Sequence, residues 1–557
     1  MLKLLLSTET CEYSWQTETL RWRCGQSFIE PFDHVALENY AFADGAQMVF
    51  IVRERINGYS ASVKPPLPQI QSIGSEYARQ VLAEMREWPL HFMMVRLTGE
   101  PGNVKATITN GAWATAPVFL VATGTGLRGD WDPARLYPHL PTKILDESRL
   151  AHFLVAFETP YSAKTLFSDL YMLTDRATAQ WQSKLAADTA LTIDYPASIP
   201  APFKQILKPD ADVLAMFEKI MQQAINRWLT AEAHVMCELS SGLDSGVVAA
   251  VCAQNGHKPV YTSGIIVPGE EGVLQQARRA EMIERFGYFD DTVPAENFPP
   301  LATGSIRVRQ QLIVPWEECY YEAMDQSLLA GIEPGKTVVF TGVGGDELFC
   351  RHWDELSAAE RQVLVNGMGD KEPHVPAFVT DKTVASYLKS RKSIDKAPFS
   401  LIPTSAKEAA AYGGARYLRR GGWPVDPFCT PEVIGFCRSL PESWRNKKQL
   451  ERAFLTSKGC SENVAFPAST ESFEYFMESS LRGASRNTIG EAMQNATLNQ
   501  TGNIDSALFL RLYNSFCQGD DMKDGALFFY SAAIMEMTLQ CVEFRRASKV
   551  MINHLWA

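Results

Sequence analysis

Between residues 1 and about 190, apolar residues come in short runs separated by turn residues. Gln47-Met-Val-Phe-Ile-Val52, His91-Phe-Met-Met-Val-Arg-Leu97 and Pro117-Val-Phe-Leu-Val-Ala122 are the clearest. That spacing predicts β-rich layers with a few helices, one near 75–87. Four prolines, at 196, 200, 202 and 209, then mark a linker. Beyond it the period changes. Leu214, Phe217, Ile220, Met221, Ala224, Ile225 and Leu229 recur at helical spacing over 211–233. Apolar strand-like runs at 235–239, 259–267, from Thr292 and at 337–342 alternate with helical stretches, including Val273 to Phe286. Strand and helix in alternation predict a parallel sheet covered on both faces. After residue 355 the pattern is helical, clearest at 357–367, 380–391, 405–419 and 505–548. The fold expected is α/β in two domains, 1–195 and 211–557.

At 557 residues the chain can bury two or three cores, and a formal net charge of -11 with no long Lys/Arg run argues against nucleic acid or an anionic membrane as its main partner. The first ten residues hold a few leucines and then turn polar, too short for a signal-peptide core or a membrane span. Eleven cysteines are scattered without Cys-x-x-Cys spacing, which predicts reduced core thiols, no zinc site, no disulfide framework and a cytoplasmic chain.

Chemistry concentrates in Val235-Met-Cys-Glu-Leu-Ser240-Ser-Gly-Leu-Asp244-Ser245. A buried strand here runs into a loop of small residues and then a helix, the place where α/β sheets bind ligands. Ser240, Ser241, Gly242 and Ser245 let the backbone approach a phosphate and lead into the positive end of a helix dipole. Asp244 would repel a bare phosphate, so its natural task is to hold Mg²⁺. The plainer alternative is that Ser240 only caps an ordinary helix. Thr123-Gly-Thr-Gly126 is followed by no helical pattern and reads as a hairpin.

Leu239-Ser-Ser-Gly-Leu-Asp-Ser245 resembles the pyrophosphate loop of the ATP pyrophosphatase superfamily, with Ser241 replacing its first glycine. About a hundred residues on, Val338-Val-Phe-Thr341-Gly342-Val-Gly-Gly-Asp346-Glu347-Leu-Phe349 resembles the second signature of the asparagine-synthetase branch. That branch includes asparagine synthetases, β-lactam synthetases and lasso-peptide cyclases. Pro424-Val-Asp-Pro-Phe-Cys429 and the helix ending in Leu440-Pro441 are similar to its later Pro-Phe-Leu-Asp segment.

The resemblance implies an ATP site built from Leu239, Ser240, Ser241, Gly242, Leu243, Asp244, Ser245, Gly264, Ile265, Thr341 and Gly342. Gly264 and Ile265 would lie at the adenine, Asp244 and Asp346 would share Mg²⁺, and Glu347 would orient that pair, a surface role for it staying open. It also implies a carboxylate that attacks the α-phosphorus of ATP, pyrophosphate release, and an amine that displaces AMP. The amino-terminal half sits where the branch keeps an Ntn-type glutaminase domain. Here residue 2 is Leu and the first cysteine is Cys11, so the nucleophilic amino-terminal thiol is missing and glutamine hydrolysis is not expected.

Val343 stands where asparagine synthetases place an acid and β-lactam synthetases a tyrosine. The branch's late lysine has no match in Asn463–Phe473, leaving Lys458, Arg482 and Arg486 as substitutes. Lasso-peptide cyclases fit this pattern best, with a precursor peptide, a leader peptidase and a leader-binding protein as partners. The alternatives are a small-molecule synthetase, of β-lactam or ammonia-dependent asparagine type, and a non-catalytic ATP-binding scaffold.

Overall fold

Alternating burial along the amino-terminal runs becomes antiparallel pairing in a computed structural model of the chain. It describes residues 1–8, 12–58, 68–100, 102–113, 115–142, 144–199, 207–208, 210–256, 259–349, 356–369, 374–520 and 525–555. Two seven-stranded sheets form first. One is centred on Leu2–Ser7, between Gly126–Asp130 and Ser27–Pro31; the other is centred on Phe92–Glu100, between Met48–Glu54 and Asn103–Asn110. Their inner faces share one core, where Trp22 meets Phe50 at 5.2 Å. The hairpin expected at Thr123–Gly126 is present: Val118–Thr123 pairs antiparallel with Gly126–Asp130, with Thr123 opposite Gly126. The predicted helix near 75–87 spans Ser75–Arg86.

Of the linker, residues 200–206 and 209 lie outside the described residues. The helix that follows is shorter than its apolar period, Val213–Asn226, because the chain turns at Trp228, whose N–H reaches the Ile225 carbonyl. Then comes a five-stranded, all-parallel sheet of β1 (His234–Glu238), β2 (Val260–Ile266), β3 (Phe289–Pro294), β4 (Thr337–Phe340) and β5 (Trp423–Val425). Its order is β3-β2-β1-β4-β5. The central strands are apolar on both sides, as a sheet covered on two faces requires. β3 begins three residues before the expected Thr292, since the exposed edge needs no apolar run to pair. Helices α1 (Leu243–Gln254), α2 (Thr404–Arg419) and α3 (Gln449–Ser457) carry side chains to the carboxyl ends of these strands.

The two halves are welded. Fully buried Trp423 on β5 donates its indole N–H to Glu54 Oε1 at 2.7 Å, and His34 Nε2 lies 3.0 Å from the Thr337 carbonyl. Glu54, held in this core, also accepts the His91 amide N–H. Burial pushes its carboxyl up to about 7, although these donors favour the ionised form. A large aromatic side chain buried like Trp423 contributes about 1.5–3 kcal/mol.

A second core joins Phe119, Leu150 and Leu154 of the first half to the carboxyl-terminal helices. There the helical pattern expected over 505–548 is two helices, Ser506–Cys517 and Gly525–Leu555, separated around Gly519 in a left-handed conformation (φ +104°). The stretch Gly525–Ser548 is long and apolar enough to cross a membrane, and 72% of its most apolar window is buried inside the protein. Eight described cysteines have free thiols, seven of them buried. Cys24 is disulfide-bonded, a correction to the expectation of unpaired cysteines. Pairing depends on the fold bringing two Cα atoms within about 6 Å, which spacing along the chain does not reveal. Cys11 and Cys350 lie outside the described residues.

Candidate active site

The loop Leu239–Gly242 leaves β1 and enters α1 with Gly242 as N-cap and no side chain capping it, so the first-turn amides are available to an anion. The loop is tied to itself and to the sheet. Ser245 Oγ accepts from the Ser240 N–H (3.2 Å), and Ser240 Oγ accepts from the Gly242 N–H (3.1 Å). Buried Gln275 donates to the carbonyls of Ser240 and Ile265, each at 2.8 Å, and its own carbonyl accepts the Val267 N–H.

Ser241, at the position where the family's loop has glycine, adopts φ +82°, the left-handed region that glycine occupies without strain. Its hydroxyl is held by Arg278, whose Nε and Nη2 donate at 3.3 and 3.2 Å, and it donates to Glu471 Oε2 at 3.3 Å. Arg278 and Glu471 also pair with each other, both largely buried. The Asn463–Phe473 segment, which lacks a lysine, thus supplies an acid that steadies the loop.

Asp244, in the first turn of α1, and Asp346, after β4, come together. Lys448 Nζ lies 2.6 Å from both Asp244 carboxylate oxygens and 2.6 Å from Asp346 Oδ1. Their settings differ: the Asp244 side chain is 18% exposed and that of Asp346 82%. Gly345 makes the approach possible, because a Cβ there would stand 2.4 Å from the Asp244 carboxyl carbon. Burial raises the Asp244 pKa, against the pull of neighbouring Glu451 and Lys448. For Lys448, burial disfavours the charge, but Glu451 and Asp244 outweigh it and hold the ammonium above its usual range. Glu451, fully buried on α3, is pushed far above the carboxylate range by burial and then by Asp244.

Lys448 and Glu451 were not among the residues the sequence pointed to. Lys447 and Lys448 are consecutive left-handed residues (φ +51° and +56°), a costly backbone that persists where a site demands it. The available signal was a Lys-Lys pair just ahead of the helix that begins at Gln449. The substitutes considered for the late lysine are elsewhere. Lys458 pairs with Glu218, Arg482 with Glu478, and Arg486 reaches Asn514. Glu347 turns away from the aspartates and accepts the Ser405 hydroxyl at 2.6 Å.

A cavity of about 530 Å³, a size typical of small-molecule sites, opens beside the loop and is lined by Leu239, Ser240, Gly264, Ile265 and Thr341. Gly264 is required by packing: a Cβ would sit 2.5 Å from the Leu239 carbonyl oxygen and closer still to Arg279. Thr341 Oγ1 donates to Asp426 Oδ1 at 2.5 Å and accepts the Val343 N–H.

Residues 216–393 match the family model described as asparagine synthase. The match supports an asparagine synthetase-like family and ATP-dependent amide ligation for the half that holds the parallel sheet. No curated protein matches the chain. Among solved structures, the U34-tRNA thiolase NcsA from Methanococcus maripaludis with its 4Fe–4S cluster is similar at 14% identity and a TM-score of 0.23, over 56% of this chain and 82% of that one. A likeness at that level supports no statement about this chain.

Asp244 and Asp346 are the pair that could hold a metal ion beside a nucleotide; Lys448 stands between them, and no group of three or more His, Cys, Asp or Glu side chains among the described residues is placed to bind one. Two carboxylates already share one cation, and the loop beside them offers amides and hydroxyls to phosphate. Asp244 and Asp346 would hold Mg²⁺, which when bound supplies neutralisation of phosphate charge.

Proposed function

We propose that the chain is an AMP-forming amide ligase that activates a carboxylate with ATP, releases pyrophosphate and lets an amine displace AMP. The observation that carries this reading is the meeting of Asp244 and Asp346 on Lys448 at the mouth of the serine-rich loop. In such a reaction the residues divide the labour. Ser240, Ser245 and the first amides of α1 bind the departing phosphates, and Lys448 places a fixed positive charge where negative charge builds up. The aromatic residues of the cavity wall, among them Trp316, Tyr320, Tyr412 and Phe473, would help keep water from the activated acyl group.

The substrate we propose is a precursor peptide whose Asp or Glu side chain is activated and closed by its own amino terminus, a lasso-type macrolactam. A leader peptidase and a leader-binding protein would act beside the enzyme. The amino-terminal half is taken as a degenerate Ntn-type glutaminase domain, and the compartment as the cytoplasm, on the eight free thiols among the described residues and against the disulfide at Cys24. The experiment is pyrophosphate release from ATP and Mg²⁺ with candidate carboxylates and peptides, read with mass spectrometry. Pyrophosphate with loss of one water from a peptide supports the cyclase. Pyrophosphate with small carboxylates alone redirects the reading to a small-molecule synthetase, and none with any carboxylate leaves an ATP-binding scaffold.

A further inference from the structure

The carboxyl ends of β1, β4 and β5 carry two acids, Glu238 and Asp426, that the nucleotide reading does not use. Cys237 is in register with Phe340, and Phe340 with Val425, so the next residues, Glu238, Thr341 and Asp426, form one row across three adjacent strands. All three line the cavity. Tyr417, reaching over from α2, donates its hydroxyl to Glu238 Oε1 at 2.5 Å, and Thr341 donates to Asp426 at the same distance. Each carboxyl is thus oriented by a single hydroxyl.

Arg416, next on α2, is only 6% exposed, lies 3.4 Å above the Tyr321 ring, and has no hydrogen-bond partner for Nη1 among the described residues. Gly413 gives it room, since a Cβ there would stand 3.0 Å from Nη2. Its charge, with the Tyr417 hydroxyl, counters the burial that raises the Glu238 pKa. Burial pushes Asp426 up to about 6, against the Thr341 hydrogen bond. Burial thus favours the proton-holding form of both carboxyls, which stand side by side as proton acceptors. The opposite wall is aromatic: Trp316 stacks on Tyr412 at 4.5 Å, and Tyr320 meets Phe473 at 4.9 Å. Such rings attract a cation and an apolar body together.

We infer that this row is the acceptor subsite of the ligase, taking a primary ammonium on an apolar or aromatic body, with Glu238 as the base that Tyr417 orients and Asp426 as a second proton acceptor. The inference rests on the reading of the chain as an amide ligase. Atoms balance without a further reagent. Glu238 first takes one proton from the ammonium; the lone pair so freed attacks the acyl-adenylate carbonyl, a C–N bond forms, and the C–O bond to AMP breaks with its electron pair passing to the phosphate oxygen. The two protons shed by the nitrogen pass to the two carboxylates. Val343, a residue without acid–base chemistry, then leaves no gap, because the base comes from β1 and α2.

The test is calorimetric titration of the full chain with 2-phenylethylamine and its uncharged match, 2-phenylethanol. Wild type should bind the amine about tenfold more tightly than the alcohol. Glu238→Gln and Asp426→Asn should each remove most of that preference while leaving alcohol binding unchanged. Tyr417→Phe reads the same subsite should either variant fail to melt like wild type. Equal affinity for the two probes in wild type, or an undiminished preference in folded Glu238→Gln, overturns the subsite. Pyrophosphate release is measured in parallel: its absence from wild type with any carboxylate overturns the ligase reading and with it the proton-transfer roles, whereas equal affinity for the two probes in wild type with release intact overturns the subsite alone.

Discussion

The loops after β1 and β4 each deliver one aspartate to the same lysine, yet they are built in opposite ways. The first is locked: its serines bond one another, Gln275 grips its carbonyls, and Arg278 with Glu471 holds Ser241 in a left-handed conformation. Asp244 is consequently a fixed, mostly buried charge. The second has Thr341 tied to Asp426 at its base, but Asp346 at its far end stands out in solvent. A rigid arm facing an exposed one suits a site that must preform for phosphate and still admit and release a nucleotide. Desolvation makes a fixed buried charge more effective than a solvated one.

Four predictions sharpen or break this contrast. Asp244→Asn should cost the most, about 10³-fold in pyrophosphate release, the scale seen when a preorganised charge is removed. Next comes the base of the second loop. The Asp426 carboxyl is raised from 3.8 to about 6 in the fold, so the native state binds the extra proton. The resulting stability is complete below pH 3.8 and disappears as pH rises through 6, amounting to about 3 kcal/mol at the limit. Chemical denaturation of Asp426→Asn between pH 4 and 7 should lack that decline.

Asp346→Ala should reduce pyrophosphate release by about 10²-fold, less than Asp244→Asn because solvent already screens the group. Equal losses in the two variants would erase the distinction between the loops. The smallest effect is at Ser241. Ser241→Ala keeps the left-handed strain and loses the hydroxyl, costing about 2 kcal/mol, whereas Ser241→Gly relieves the strain and should cost about 1 kcal/mol. Thermal melts that rank the two the other way would mean the hydroxyl does not steady the loop.

What the sequence made legible was local. Leu239–Ser245 and Thr341–Asp346 announce themselves because strand, small residues and acid lie within a dozen positions, and the alternation of strands and helices around them predicts a parallel sheet. What it hid comes from far along the chain. Lys448 is 204 residues from Asp244, Glu471 is 230 from Ser241, and Tyr417 is 179 from Glu238, so only tertiary packing assembles them. Lys458, Arg482 and Arg486 carry the right charge, but the helices bearing them aim it at other acids and carbonyls. The break between Ser506–Cys517 and Gly525–Leu555 was masked by apolar residues that keep helical spacing on both sides of it.

The indole of Trp423 gives the amino-terminal half a structural part in the other half's sheet. That side chain stands at the start of the strand leading to Asp426, and its only route to satisfying a polar edge runs through Glu54 on the far side of the linker. Excising residues 1–195 would leave an orphaned donor and a bare ring on the outermost strand, and the slackening would travel three residues to Asp426 on the cavity wall. The amino-terminal half is the formwork against which that edge of the parallel sheet is cast.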